Sequence, residues 1–155
     1  MRIVDHAQRT MRIALQAAQA AAEAGETPVG AVVFDPATGE VIAVGANQPI
    51  GAHDPTAHAE VVALREAARR RGNYRLTDLG LAVTLEPCAM CAGAISHARI
   101  GTLVFGAEDP KGGAVVHGPR VFDQPTCHWR PHVTGGVLAE ESAQLLRSFF
   151  RARRR

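Results

Sequence analysis

Apolar positions along the first part of the chain recur at helical intervals. Met11, Leu15, Ala18 and Ala22 share one face, and the stripe stops at Gly25. Asp5 and Gln8 have the spacing of a capping box, so the pattern predicts a helix over about residues 5–24. The rhythm then changes to two short β-rich apolar runs, Val29 to Phe34 and Val41 to Val44, on either side of Pro36 and Gly39. That is the pattern of a hairpin. A polar stretch follows over residues 47–57, and Thr56 is placed to cap a second helix from about His58 to Arg71, closed by Gly72. Leu81 to Leu85 reads as a third strand, Cys88 to Ala98 as a third helix with Pro87 in its first turn, and Ile100 to Phe105 as a fourth strand.

The stretch from Glu108 to Pro131 holds four prolines and predicts no long element. A loop of that length in a small domain is usually functional. Val133 opens a short fifth strand, and Leu138, Leu145, Leu146, Phe149 and Phe150 give a last helix its apolar side. A hairpin followed by alternating helices and strands implies a single α/β domain over residues 1–155, with three α/β/α layers around a mixed sheet.

Composition narrows the class. The 155 residues are 46% hydrophobic and 21% charged, ordinary for a soluble globular chain. No apolar run is long enough to span a membrane and the first residues have no signal-peptide core, which predicts a cytoplasmic location. Cys88, Cys91 and Cys127 are too few and too unevenly spaced for a disulfide framework. The net charge of +2 does not by itself mark a nucleic-acid binder, but Arg147, Arg151, Arg153, Arg154 and Arg155 crowd the last nine positions. Such a tail suits an RNA backbone, and equally an exposed helix end.

Candidate chemistry lies in two segments, His58-Ala-Glu60 and Pro87-Cys88-Ala-Met-Cys91. His-x-Glu alone is weak, and C-x-x-C alone reads as a redox pair, a structural zinc site or two buried thiols. Together they offer one imidazole and two thiolates, a three-ligand zinc set that keeps a fourth position for water. The cysteines lie three apart at a helix start, so they share one side, and the N–H groups there favour thiolates. Glu60, two residues beyond His58, is placed to handle a proton rather than to bind the metal. The order H-x-E then P-C-x-x-C is the known signature of the zinc deaminases, with tRNA adenosine deaminase among its standard examples.

Beyond those motifs the chain resembles the bacterial tRNA-specific adenosine deaminases, of the cytidine and deoxycytidylate deaminase superfamily, from about Met11 to Arg154. The resemblance is carried by Pro28-Val-Gly-Ala-Val32, Asn47-Gln-Pro-Ile50, Asp54-Pro-Thr-Ala-His-Ala-Glu60 and Asn73-Tyr-Arg-Leu76, then Thr84 to Gly93, Phe105-Gly-Ala107 and Leu145 to Phe150. It implies a cytidine-deaminase-like fold with a five-stranded mixed sheet, and conversion of adenosine to inosine at the wobble position of a tRNA anticodon. It also implies a homodimer with one zinc ion per subunit, held by His58, Cys88 and Cys91, with Glu60 as proton shuttle. Asn47 matches a side chain that binds the flipped base. Asp109 and Lys111 match positions near ribose and phosphate, and Phe149 an aromatic beside neighbouring nucleotides in the anticodon stem-loop. The plain readings of these last three are a turn aspartate, a solvated lysine and a core phenylalanine.

The chain departs from the family pattern after Lys111, through Gly112 to Arg120 and Cys127-His-Trp-Arg130. There Cys127 and His128 read as a second metal pair or as unrelated residues, and Trp129 as a base-stacking ring or as packing under the loop. Two other functions stay open from sequence. One is deamination of a free base or nucleoside of the guanine or cytosine type. The other is a non-catalytic zinc module binding RNA, which needs a fourth protein ligand from His53, His97, Cys127 or His128.

Overall fold

The computed structural model describes residues 3–153, so Arg154 and Arg155 of the basic tail lie outside the described residues. The elements are α1 (Ile3–Glu23), β1 (Gly30–Phe34), β2 (Val41–Ala46), α2 (Pro49–Ala52), α3 (Ala59–Arg71), β3 (Gly80–Leu85), α4 (Ala89–His97), β4 (Thr102–Ala107), β5 (His132–Thr134) and α5 (Ala139–Arg153). One 3-10 turn, Val121–Asp123, interrupts the long loop between β4 and β5. The sheet runs β2-β1-β3-β4-β5, with β1 antiparallel to both neighbours and the β3, β4 and β5 pairings parallel. This is the five-stranded mixed sheet expected of a cytidine-deaminase-like fold.

Strand β1 explains the layers. All five of its residues are buried, as in a strand covered on both faces, and its side chains alternate between two cores. Val32 and Phe34 join Met11 and Ala14 of α1, with Val137 and Leu138 at the entry to α5 packed against them. Ala31 and Val33 join Ala59, Ala63 and Leu64 of α3 and Ala92 and Ile95 of α4. Helices α1 and α5 thus cover one face and α3 and α4 the other.

Because β1 is antiparallel to both β2 and β3, strands β2, β3 and β4 run the same way. Their carboxyl ends therefore share one end of the sheet. From it leave the β2–α3 loop, the Glu86-Pro87-Cys88 turn into α4, and the long loop after Ala107. In α/β sheets this end collects ligands.

Helix α3 lies almost backbone-to-backbone on β2, because Gly45 has no side chain. A Cβ at Gly45 would stand 2.4 Å from the Ala59 carbonyl oxygen and 2.6 Å from the Ala63 nitrogen. Gly72, in the left-handed region at φ 71°, closes α3 as expected, its N–H reaching the carbonyls of Ala68 and Arg69.

Three expectations are corrected here. The first helix begins at Ile3, so Asp5 lies inside it rather than at its N-cap. Thr56 does not cap α3, because its hydroxyl and N–H both donate to Asp54 Oδ1, at 2.7 and 2.9 Å. Pro87 stands one residue ahead of the α4 N-cap, Cys88, rather than in the first turn. The one-turn helix α2 was not expected; it is too short to show a period, and the buried Glu26 carboxylate caps it by accepting the N–H groups of Ile50 and Gly51 at 3.2 and 2.7 Å.

Candidate active site

His58 is the N-cap of α3 and Cys88 the N-cap of α4, both with extended backbone. Each therefore stands at the positive end of its helix, where the first N–H groups have no partner within the helix itself. Cys91 follows one turn into α4 and is fully buried. His58 Nδ1 lies 3.6 Å from Cys88 Sγ and 3.5 Å from Cys91 Sγ. Among the described residues these three form the one group of His, Cys, Asp and Glu side chains close enough to hold a metal ion, their ligand atoms all within 4.8 Å of one another.

The spacing tests which metal fits. Zinc–sulfur and zinc–nitrogen bonds of ~2.3 and ~2.0 Å at tetrahedral angles put the two ligand atoms about 3.5 Å apart. Both measured N–S distances meet that value, and the mixed thiolate and imidazole set suits zinc over magnesium or calcium. Three protein ligands, not four, converge among the described residues. The fourth-ligand candidates His53, His97, Cys127 and His128 stand outside the group.

The two sulfurs and the nearby carboxylate shift one another's proton affinity. The hydrogen bond from Cys91 draws the Cys88 thiol down to about 5, with His58 adding to the fall. The same bond, together with burial, pushes the Cys91 thiol up. Glu60 is in the first turn of α3 and 4% exposed. Burial pushes its carboxyl up to about 7; its own N–H opposes the rise, the charge at Cys88 adds to it, and Cys91 hydrogen-bonds it. A carboxyl held in that range can both take and give a proton near neutral pH.

Asn47 joins the site from the β2–α3 loop. Its Oδ1 accepts the Ala59 N–H at 2.8 Å, supplying the α3 cap that Thr56 does not. With the oxygen engaged, the amino group is the end left to donate. Asp109 begins the long loop, and its Oδ1 accepts the N–H groups of Lys111 and Gly112, so it is a turn aspartate, half-buried. The Lys111 side chain is exposed. Phe149, half-buried on α5, borders an open groove whose other side is lined by Leu15, Gln19 and Ala22 of α1, with the Arg153 guanidinium 4.4 Å from its ring centre.

The divergent segment packs against the domain. Trp129 donates its indole N–H to the Ile100 carbonyl at 2.8 Å, with Arg99 over its ring. Cys127 Sγ donates to the Trp129 carbonyl at 3.2 Å, so Cys127 and His128 form no second metal site among the described residues.

Glu86 carries a role that sequence inspection missed. Its side chain is fully buried beside Pro87 and Cys88, and its carboxylate gathers the loop after β4. Oε1 accepts the Asp109 N–H at 3.0 Å and faces His117 Nδ1 at 2.8 Å. Oε2 accepts the N–H groups of Val115, Val116 and His117 at 3.1, 3.0 and 3.2 Å. Burial alone would raise its pKa, but the Asp109 N–H, the His117 side chain and the N–H groups of Val116 and Val115 together hold it below the usual carboxylate value. The available signal was an acidic residue directly before the Pro-Cys pair, inside an otherwise apolar strand end.

An α/β/α layering with a three-ligand cluster between two helix starts and a buried glutamate beside it defines a zinc-binding deaminase. In agreement, a family model for the cytidine and deoxycytidylate deaminase zinc-binding region matches residues 4–107. The tRNA-specific adenosine deaminase of Agrobacterium fabrum is 52% identical over 151 residues, covering 96% of this chain and 97% of that protein. The protein of the same name from Haemophilus influenzae is 51% identical over 147 residues, covering 95% and 84%. The chain belongs to the tRNA-specific adenosine deaminase family, within the cytidine and deoxycytidylate deaminases. A solved structure from a study of tRNA:A34 deaminases acting at the wobble position superposes with a TM-score of 0.86 at 49% identity, covering 89% of this chain and 99% of that one. The guanine deaminase of Nitrosomonas europaea superposes at 0.80 with 25% identity, covering 92% and 83%.

Proposed function

We propose that this protein hydrolyses adenosine to inosine at the wobble position of a tRNA anticodon, the whole chain serving as one deaminase domain. The observation that carries the chemistry is the convergence of His58, Cys88 and Cys91 with the buried Glu60 beside them. Relatives named tRNA-specific adenosine deaminase at about half identity over nearly the whole chain support the substrate.

His58 Nδ1 and the two sulfurs are the residues that hold zinc, one ion per subunit. Bound there, zinc supplies a water whose pKa is lowered enough to serve as nucleophile near neutral pH. Glu60 takes the proton that water gives up as its oxygen bonds to C6 of adenine, and delivers it to the ring nitrogen. The same carboxyl then carries the proton of the new C6 hydroxyl to the exocyclic amine as the C6–N bond breaks, leaving the C6 carbonyl and ammonia. The balance is adenosine plus water to inosine plus ammonia. Asn47 donates its amino group to an acceptor on the base, held in place because its oxygen is tied to Ala59. Asp109 and Lys111 meet ribose and phosphate at the rim, and Phe149 meets a neighbouring nucleotide from α5. The anticodon loop is a fitting substrate because its bases are already partly unstacked.

The homodimer reading rests on a shallow, largely apolar surface between α3 and α4, where Val61, Leu64, Ala68, Met90 and Ala94, with Tyr74 from the loop after α3, stand beside Arg65 and His97. Tyr74 is 65% exposed there, an apolar ring that a second subunit would cover. Action on tRNA supports a cytoplasmic location. Among the described residues no helix is long and apolar enough to cross a membrane.

The test is incubation of zinc-loaded protein with tRNA carrying adenosine at the wobble position, followed by reverse transcription, where inosine reads as guanosine. Conversion confined to that position is expected. The guanine deaminase likeness favours a second reading, a free base as substrate. Ammonia release from guanine or cytosine, with none from RNA, would establish that reading instead.

A further inference from the structure

We propose that Glu86 is a positioning residue, which locks the loop of residues 109–117 onto the metal-ligand turn and so sets how tightly the RNA substrate binds. The proposal rests on the functional reading above.

Pro110, Gly112 and Gly113 deny the loop regular structure, and no strand ladder runs through it. Its other ties lie near its middle, where Ala114 and Val115 are buried and Val115 joins the core with α3 and α4, so Asp109 depends on Glu86. A buried carboxylate needs partners for its lone pairs, and here every one comes from this loop. Three successive N–H groups, at Val115, Val116 and His117, converge on one oxygen, forming an anion-binding nest filled by the protein's own side chain. Such bonds to a charged acceptor are the stronger class.

The fit is close. A Cβ at Gly113 would stand 2.4 Å from Glu86 Cδ, so the loop backbone sits directly on the carboxylate. The Ala114 N–H reaches the Pro87 carbonyl at 2.9 Å, and the Glu86 N–H reaches the Ala107 carbonyl at 2.8 Å. Loop and ligand turn are thereby one unit, with Glu86 two residues before Cys88. What the loop carries is the rim. Asp109 hangs from Glu86 Oε1 by its N–H, and its own carboxylate orients Lys111 through the 3.2 Å bond to the Lys111 N–H. The ligand atoms themselves are set by the starts of α3 and α4. Releasing the loop should therefore weaken substrate binding and leave metal and chemistry in place.

Glu86→Gln separates the two ends of the loop. An amide nitrogen cannot accept an N–H. Placed at the Oε2 position it would confront three donors; placed at Oε1 it strands only the Asp109 N–H, since His117 Nδ1 can accept from it. The variant should keep residues 115–117 anchored and release Asp109. Three readouts decide the matter: amide hydrogen exchange, zinc content, and KM against kcat on an anticodon stem-loop. Faster exchange at Asp109 is expected, with one zinc retained, KM raised about tenfold and kcat within about twofold. Glu86→Ala should release both ends and raise KM further; if it fails to fold, Glu86→Gln still decides. Unchanged KM with unchanged exchange would overturn the proposal, as would parallel losses of kcat and zinc. If the wild type itself leaves the stem-loop unaltered, the functional reading falls, and exchange at 109–117 alone judges the anchor. Exchange that Glu86→Gln does not alter then overturns it, and selective release of Asp109 supports it.

Discussion

Gly45→Ala tests whether the contact between sheet and helix also sets the site. The added Cβ would lie 2.4 Å from the Ala59 carbonyl oxygen and 2.6 Å from the Ala63 nitrogen, both backbone atoms that cannot rotate away. Ordinary contact begins near 3.4 Å, so the start of α3 must retreat by roughly 1 Å, because interiors are close-packed. Overpacking of this kind costs about 1–3 kcal/mol, partly offset by the ~0.4–1 kcal/mol that alanine contributes by restricting the unfolded chain. For a domain of this size a net loss near 1–2 kcal/mol lowers Tm by roughly 3–8 °C. The retreat carries Ala59 and its neighbours His58 and Glu60 with it, and a displacement near 1 Å at reacting groups costs about a hundredfold in rate. The assays are calorimetry, zinc content and kcat/KM on an anticodon stem-loop. Gly93→Ala is the control, since nothing lies within 4 Å of its added Cβ and alanine is the better helix former. A Gly45→Ala protein with unchanged Tm and turnover would refute the packing; a lowered Tm with full turnover would refute its link to the site.

Further outcomes are expected. His58→Ala, Cys88→Ala and Cys91→Ala should each lose bound zinc by elemental analysis, whereas Cys127→Ser should keep it; zinc retained in full by Cys91→Ala would remove that residue from the site. Asn47→Ala should cost about 1 kcal/mol through loss of the α3 cap and also raise KM, while Asn47→Asp keeps the acceptor for Ala59, restoring Tm but not KM. Equal recovery of both by Asn47→Asp would show that the amino group binds nothing. Truncation after Phe150 removes Arg151, Arg153, Arg154 and Arg155, of which Arg153 bonds the Gly25 carbonyl at 2.7 Å, and should weaken RNA binding with a flatter salt dependence. An unaltered salt slope would reduce the tail to a helix end.

The cluster of His58, Cys88 and Cys91 that could hold a metal ion was legible because its relations are local. A two-residue step from histidine to glutamate and a three-residue step between cysteines fix chemistry before any fold is known. The layers were legible for a similar reason: the periods of α1, α5 and the strands are carried by apolar residues, and burial follows them. What stayed hidden depends on pairs far apart in sequence. Asn47 caps a helix that begins 12 residues later, a place where Thr56 looked better from spacing alone. Glu86 meets donors 23 to 31 residues away, and no periodicity marks a carboxylate that loop backbone will surround. Helix α2 is a single turn held by Glu26 from before β1, too short for a pattern to appear.

Turnover of an anticodon stem-loop by zinc-loaded wild type and by Glu60→Gln, compared side by side, bears most directly on the central claim. The amide keeps the shape of the carboxyl but cannot shuttle a proton. The variant is predicted to retain one zinc per chain and to lose about 10²- to 10⁴-fold in kcat. Undiminished turnover by zinc-loaded Glu60→Gln would contradict the account.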